Sequence, residues 1–274
     1  MQYIVNVSGG LTSYEALRRT IERHGKANTT AVFADTRIED PDLYRFLDDI
    51  ERLFNIRIVR LQDGRTVFDI WHDTRSLTLR GIAAGGGIAP CSKILKKQQI
   101  DGWLRQQDYP YTLVFGMDWS EPHRMERLVK RYDPVPCWFP LAEKPYVEKC
   151  DIMEQLESIG IAVPALYLEG FSHNNCGGGC VLGGQSHFAH LWKVRPDTYA
   201  RWEAEEERLR VALNKDIAIL NDRRGGGPRR ALPLSVFRGM LERGERTPRD
   251  EFGGCGCFAG TEQLELDLVE EERI

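Results

Sequence analysis

The chain contains no apolar run approaching the roughly 20 residues needed to cross a bilayer, so a membrane-spanning role is not expected. A charged-then-apolar leader is also missing, because the first apolar stretch is confined to residues 3–7, and a cytoplasmic location is the expectation. Positive charge is not in excess: 37 Lys and Arg stand against 41 Asp and Glu, a formal net charge of −4. That balance removes any global case for binding a phosphate backbone, so contact with nucleic acid would have to be local. No internal repeat is found, which excludes solenoid architectures. Cysteine is present but odd in number, and four of the seven fall in Cys176-Gly-Gly-Gly-Cys180 and Cys255-Gly-Cys257. In a reducing compartment such short spacings suit a metal or cluster better than disulfides. Cys137 and Cys150 stand alone and read as buried thiols.

What is present is an alternation of strand and helix signals. Residues 3–7 read as a strand and Ser13 to Arg23 as a helix. Residues 29–34 give a second strand followed by a helix through "LYRFLDDIERLFN". The run "IRIVRL" is a third strand, Ile94 to Gln106 a helix, and "YTLVFGM" a fourth strand. This order predicts an α/β fold, a doubly wound parallel sheet with helices on both faces, over residues 1–165. Residues 166–274 are expected to form a mainly helical, cysteine-containing extension. The charged helix "RWEAEEERLRVAL" should turn its acidic face to solvent, whereas Tyr199 and Trp202 should be core. The arginines of "NDRRGGGPRR" are a local candidate for nucleic-acid contact, or a solvated loop. Residues 261–274 form an acidic tail.

In open parallel sheets ligands gather beyond the carboxyl ends of the strands. That rule selects "SGGLTS", "ADTR", "LQDG" and "GMDWSEPHR", which should line one rim. In the first of these a strand runs straight into two glycines and then a helix, placing unpaired amides and the positive end of a helix dipole at one point. The chemistry suits a phosphate, with Ser8, Thr12 and Ser13 adding hydroxyls. Gly116, Asp118, Glu121 and Arg124 belong to the fourth rim loop and are functional candidates by position. Lys96 and Lys97 are either cations for a ligand or solvated helix charges.

With Ser8-Gly9-Gly10-Leu11-Thr12-Ser13 in view, the chain resembles the PP-loop ATP pyrophosphatases, or adenine nucleotide α-hydrolases, whose signature is Ser-Gly-Gly-X-X-Ser. Within them it is most similar to the phosphoadenosine phosphosulfate reductase branch, through "FADTRIEDPDLYRFL" and "PCSKILKKQQI". The segments "GFSHNNCGGGC" and "GGCGCF" resemble those of phage-associated members of that branch. The resemblance implies a Rossmann-like PP-loop fold that binds ATP or a related adenine nucleotide with Mg²⁺. Ser8, Gly9, Gly10, Thr12 and Ser13 would hold phosphates, Asp35 and Thr36 would sit near the adenosine or the magnesium ion, and Lys93, Lys96 and Arg124 would meet charge on transferring phosphates. Thr12 stands where many ATP-using members carry Asp, which leaves ATP cleavage and nucleotide binding alone as alternatives.

The resemblance also gives the cysteines a role. In adenylylsulfate reductases of the superfamily an iron–sulfur cluster is held by cysteines in the segment matching "PCSKILKK" and by a later close pair. Carried over, Cys91, Cys176, Cys180 and one of Cys255 or Cys257 would ligate a [4Fe–4S] cluster; a Zn²⁺ ion held by the two close pairs is the alternative. The expected activity is cleavage of the α–β phosphate link to adenylylate an acceptor, a nucleic-acid base or a small molecule, for attack by sulfur or nitrogen. A homodimer is compatible with this reading. Two other classes stay open: a sulfonucleotide reductase using an exposed cysteine such as Cys257, and a non-catalytic, zinc-stapled protein that binds nucleotide or nucleic acid.

Overall fold

Five short runs in the first half pair side by side in a computed structural model that describes residues 1–77, 89–222 and 230–245. They are β1 (Gln2–Asn6), β2 (Thr29–Asp35), β3 (Ile58–Gln62), β4 (Tyr111–Phe115) and β5 (Cys137–Trp138). All pair in parallel, in the order β3-β2-β1-β4-β5. The expected α/β sheet is therefore present. The strand order reverses beside β1: the chain moves outward through β2 and β3, then returns to the other side of β1 as β4. Both faces of β1 are covered, since Ile4 and Val5 are each fully buried although they point to opposite sides.

On one face lie α1 (Leu11–His24), α2 (Pro41–Phe54) and α6 (Lys149–Ser158), with Leu17, Phe46 and Ile152 packed on Val5 and Phe33. On the other lie α4 (Gln98–Leu104), preceded by a π-helical stretch at Ser92–Lys97, and α5 (Pro122–Tyr132). Their Ile100, Leu104 and Leu128 meet Ile4, Val32 and Leu113. The observed α1 starts two residues earlier than expected, because Gly10 in extended backbone supplies the helix entry. Two-residue β5 is too short to carry a periodic signal and was not foreseen.

The remaining helices are α3 (Val67–Thr74), α7 (Ala165–Leu168), α8 (Gln185–Val194), α9 (Pro196–Leu213) and α10 (Leu234–Glu242), with a small antiparallel pair of β6 (Leu220–Asp222) and β7 (Arg230–Leu232). A separate apolar cluster joins α3 to this second half through Phe68, Trp71, Phe188, Trp202 and Phe237. Trp71 and Trp202 meet edge to face at 5.3 Å. Tyr199 and Trp202 are core residues, as expected. No described helix is long and apolar enough to cross a membrane. Cys255, Cys257, residues 223–229 of the arginine-rich stretch and the acidic tail lie outside the described residues.

Two expectations are corrected. Cys150 is exposed rather than buried, because it falls on the outer side of the first turn of α6. The acidic face of α9 is not wholly solvated: Glu206 is 1% exposed and its two carboxylate oxygens accept from the Ile219 amide (2.5 Å) and the Leu234 amide (2.6 Å). This carboxylate stitches α9 to the strand pair and to the start of α10. Burial pushes its pKa up to about 7, with the two amide hydrogen bonds pulling the other way. Between the ordinary glutamate value and 7 the folded protein therefore binds more protons than the unfolded chain, so this group's contribution to stability falls as pH rises. Denaturant unfolding across that window should show the stability difference between wild type and Glu206→Gln shrinking by on the order of 3 kcal/mol as pH increases; a pH-independent difference would contradict the assignment.

Candidate functional site

The reversal of strand order opens a crevice between the ends of β1 and β4, the place where doubly wound sheets take ligands. A cavity of about 310 Å³ occupies it. Of the residues selected from sequence, Ser8, Gly10, Thr12, Ser13, Lys96, Gly116, Asp118, Glu121 and Arg124 line its wall. The loop is held from several sides. Ser13 Oγ donates to the Gly10 carbonyl at 2.8 Å and accepts from the Ser8 amide at 3.1 Å, closing the turn on itself. Asn174 Nδ2 donates to the Gly9 carbonyl at 2.8 Å, and the Leu11 amide donates to the Tyr167 hydroxyl at 3.2 Å. First-turn amides have no intrahelical acceptor; Tyr167 takes that of Leu11, and Thr12 and Ser13 are among the residues lining the cavity.

The approach of α1 to β4 depends on one residue lacking a side chain. A Cβ on Gly116 would lie 2.6 Å from the Thr12 carbonyl oxygen and 2.8 Å from Ser13 Cα, both backbone atoms that cannot swing away. Only glycine lets the end of β4 touch the first turn of α1.

Three cations ring the cavity: Lys96, Arg124 and Lys149. Arg124 pairs with Glu121, and Lys149 Nζ donates to the Ser172 carbonyl at 2.9 Å. Asp118 accepts from the Ser120 amide at 2.9 Å, an interaction that shapes the rim loop. His173, also in the wall, is pushed down to about 4 by burial and by the charges of Lys149 and Arg124, so it is neutral near pH 7. Lys96 and Lys97 are both buried, at 6% and 7% exposure, which settles the alternative of solvated helix charges against solvent. Burial works against the Lys96 ammonium, but Glu39, 3.5 Å away, and the nearby thiols outweigh it and hold its pKa above the ordinary lysine range.

Other selected residues sit elsewhere. Asp35 Oδ1 accepts from the Arg37 amide and from the Tyr44 hydroxyl, each at 2.7 Å, and is not in the cavity wall. Thr36 is buried and donates to Glu39 Oε1 at 2.9 Å. Lys93 is exposed on the π-helical stretch. The rim loop after β3 is closed by its own pairs, with Arg65 on Asp63 at 2.5 Å. The carboxylates in the cavity wall are thus Asp118 and Glu121, whereas Asp35 and Thr36 are not among its lining residues.

Behind Lys96 lies a second, small void of about 20 Å³ lined by Cys91, Cys176, Cys180 and Thr36. Glu39 ties this region together: it accepts from Thr36, from the Cys176 amide and from Lys96. Gly179 lies so close to the Trp202 indole that a Cβ would meet it at 2.2 Å, which explains why the linker between Cys176 and Cys180 has no bulk there. Burial pushes the Cys91 thiol up to about 12 and raises Cys176 and Cys180 as well. The donors fit a thiolate-bound metal group in kind, with the Lys96 ammonium beside them to offset thiolate charge. Among the described residues, however, no three His, Cys, Asp or Glu side chains are arranged to hold a metal ion, and the void has the size of one water or ion. Cys255 and Cys257, the expected further ligands, lie outside the described residues.

Sequence reasoning missed Asn6, Lys149 and Tyr167. Asn6 carried a readable signal, a polar residue inside the apolar run Ile-Val-Asn-Val; the other two are brought in from more than a hundred residues away and had none.

No family model matches the chain. No curated protein matches it either. Among solved structures it is similar to a phosphoadenylyl-sulfate (PAPS) reductase from Candida auris in a phosphate complex, at 12% identity and a TM-score of 0.45 over 63% of this chain and 79% of that one.

Because Gly116 meets backbone, Gly116→Ala should displace α1 from β4. Denaturant unfolding should register a loss of about 1–3 kcal/mol, and the amide hydrogens of the first turn of α1 should exchange faster with solvent. Wild-type values for both would show that the contact is slack.

Proposed function

We propose that the protein binds ATP or a related adenine nucleotide in the crevice between β1 and β4, and that it cleaves the α–β phosphate link to adenylylate an acceptor. The observation that carries this reading is the meeting, around one cavity, of the amide-rich first turn of α1 with the cations Lys96, Arg124 and Lys149. Helix-terminal amides and buried cations stabilise phosphate charge most where water is excluded. An acceptor oxygen or nitrogen forms its bond to the α-phosphorus, the bond to the bridging oxygen breaks, and pyrophosphate leaves with that electron pair. The acceptor's proton goes to a carboxylate at the rim, for which Asp118 and Glu121 are the two candidates in the wall. The carboxylate that does not take the proton would be available to a magnesium ion, whose charge would screen the phosphates. Thr12, where ATP-using relatives often carry Asp, supplies a hydroxyl and no charge, so the burden of metal binding falls on the loop after β4.

An iron–sulfur cluster or zinc ion, as the resemblance implies, would draw on Cys91, Cys176 and Cys180 with Cys255 or Cys257, although among the described residues the first three are not by themselves arranged to hold a metal ion. An iron–sulfur cluster there would present sulfur beside the nucleotide, whereas zinc would tie the C-terminal cysteine pair to the body. Metal analysis and the visible spectrum of protein purified without air distinguish the two.

Incubation of the purified protein with ATP, magnesium and a pool of nucleosides or nucleic acid should release pyrophosphate, and Arg124→Gln should slow release on the order of 100-fold. Nucleotide binding with no pyrophosphate would reduce the protein to a nucleotide-binding role, and release of orthophosphate would place the cleaved bond elsewhere.

A further inference from the structure

Asn6 is the last residue of β1 and one of the residues lining the cavity. Its side chain leaves the sheet on the same face as Ile4, toward Phe115 and the α4 side. It is 7% exposed, and among the described residues neither Nδ2 nor Oδ1 has a hydrogen-bond partner. A buried amide left in that state costs about 1–3 kcal/mol for each unsatisfied group. The other buried asparagine of the same wall, Asn174, is 2% exposed and spends its amide on the Gly9 carbonyl at 2.8 Å. Asn6, by contrast, is buried among the residues lining the cavity and its amide is unpaired.

The chemistry of the missing partner follows from what an amide presents, a donor and an acceptor side by side. A phosphate, sulfate or carboxylate oxygen can accept from Nδ2 but offers nothing to Oδ1, which would stay unsatisfied. A ligand edge that satisfies both atoms carries an N–H next to a ring nitrogen or carbonyl, as the edge of an aminated nucleobase does. The anion-binding parts of the cavity are supplied separately, by the α1 turn, Arg124 and Lys149. We propose that Asn6 is the residue that reads a nucleobase edge in this site, with a two-pronged hydrogen bond to an amino-substituted ring. The base belongs either to the nucleotide or to the acceptor, and this assignment rests on the proposed nucleotide chemistry of the cavity.

The test compares wild type with Asn6→Leu and Asn6→Val, which replace the amide by apolar groups. Without ligand, both variants should unfold at the wild-type temperature or a few degrees above it, because an unpaired buried amide is removed. By calorimetry, each variant should bind tripolyphosphate as wild type does. If the base is that of the nucleotide, ATP should bind the variants about tenfold or more weakly, and purine riboside triphosphate, which lacks the amino group, should bind wild type and variants alike. If the base is that of the acceptor, ATP should bind all three proteins equally, and adenosine or cytidine added to the ATP complex should bind wild type only. A fall in unfolding temperature for both variants, or equal binding of every base-containing ligand by all three proteins, would overturn the proposal. Failure of wild type to bind ATP or tripolyphosphate would instead sink the nucleotide reading, while free adenosine and cytidine would still report on Asn6.

Discussion

The contact of backbone on backbone between Gly116 and the Thr12–Ser13 turn is the constraint from which the site is built. It brings the end of β4 against the first turn of α1, so residues of that turn line the crevice made by the reversed strand order. Around that contact the second half of the chain adds its braces, Asn174 on the Gly9 carbonyl and Tyr167 on the Leu11 amide. The loop is consequently held in shape by partners far away in sequence, and its conformation does not wait on a ligand. Such preorganisation is what electrostatic stabilisation of phosphate charge requires.

A second dependence runs through Glu39 and Lys96. Both are almost fully buried, and burial of two charges is tolerated only with good pairing. Glu39 gathers the Thr36 hydroxyl, the Cys176 amide and the Lys96 ammonium, and Lys96 lines both the large cavity and the cysteine void. One ammonium therefore stands between the thiols and anything bound beside α1. The large cavity and the cysteine void thus share one buried cation.

Much of this was legible in the sequence, and the reasons are specific. The strand and helix periods of the first half, and the Ser-Gly-Gly break after β1, report local backbone preference, which tertiary context here leaves intact. The rim rule selected Asp118, Glu121 and Arg124 because strand ends in a parallel sheet share one edge. It also selected Asp35 and the loop after β3, which lie on that edge but on the far side of β1 from β4, outside the cavity lining, with polar groups that bond within their own loops and to α2. Burial of Lys96, Lys97 and Glu206 could not be read, since a charged residue on an amphipathic helix looks the same whether its partner is water or a distant amide. Asn6 was visible as an anomaly, but its meaning needed the cavity in front of it.

The proposed chemistry depends on phosphate binding at the α1 turn. A crystal structure with bound ATP tests it most directly: the phosphates are expected within hydrogen-bond distance of the Gly10, Thr12 and Ser13 amides, with Arg124 and Lys149 closing on them. Phosphates bound away from this turn, or a nucleotide seated elsewhere on the protein, would contradict it.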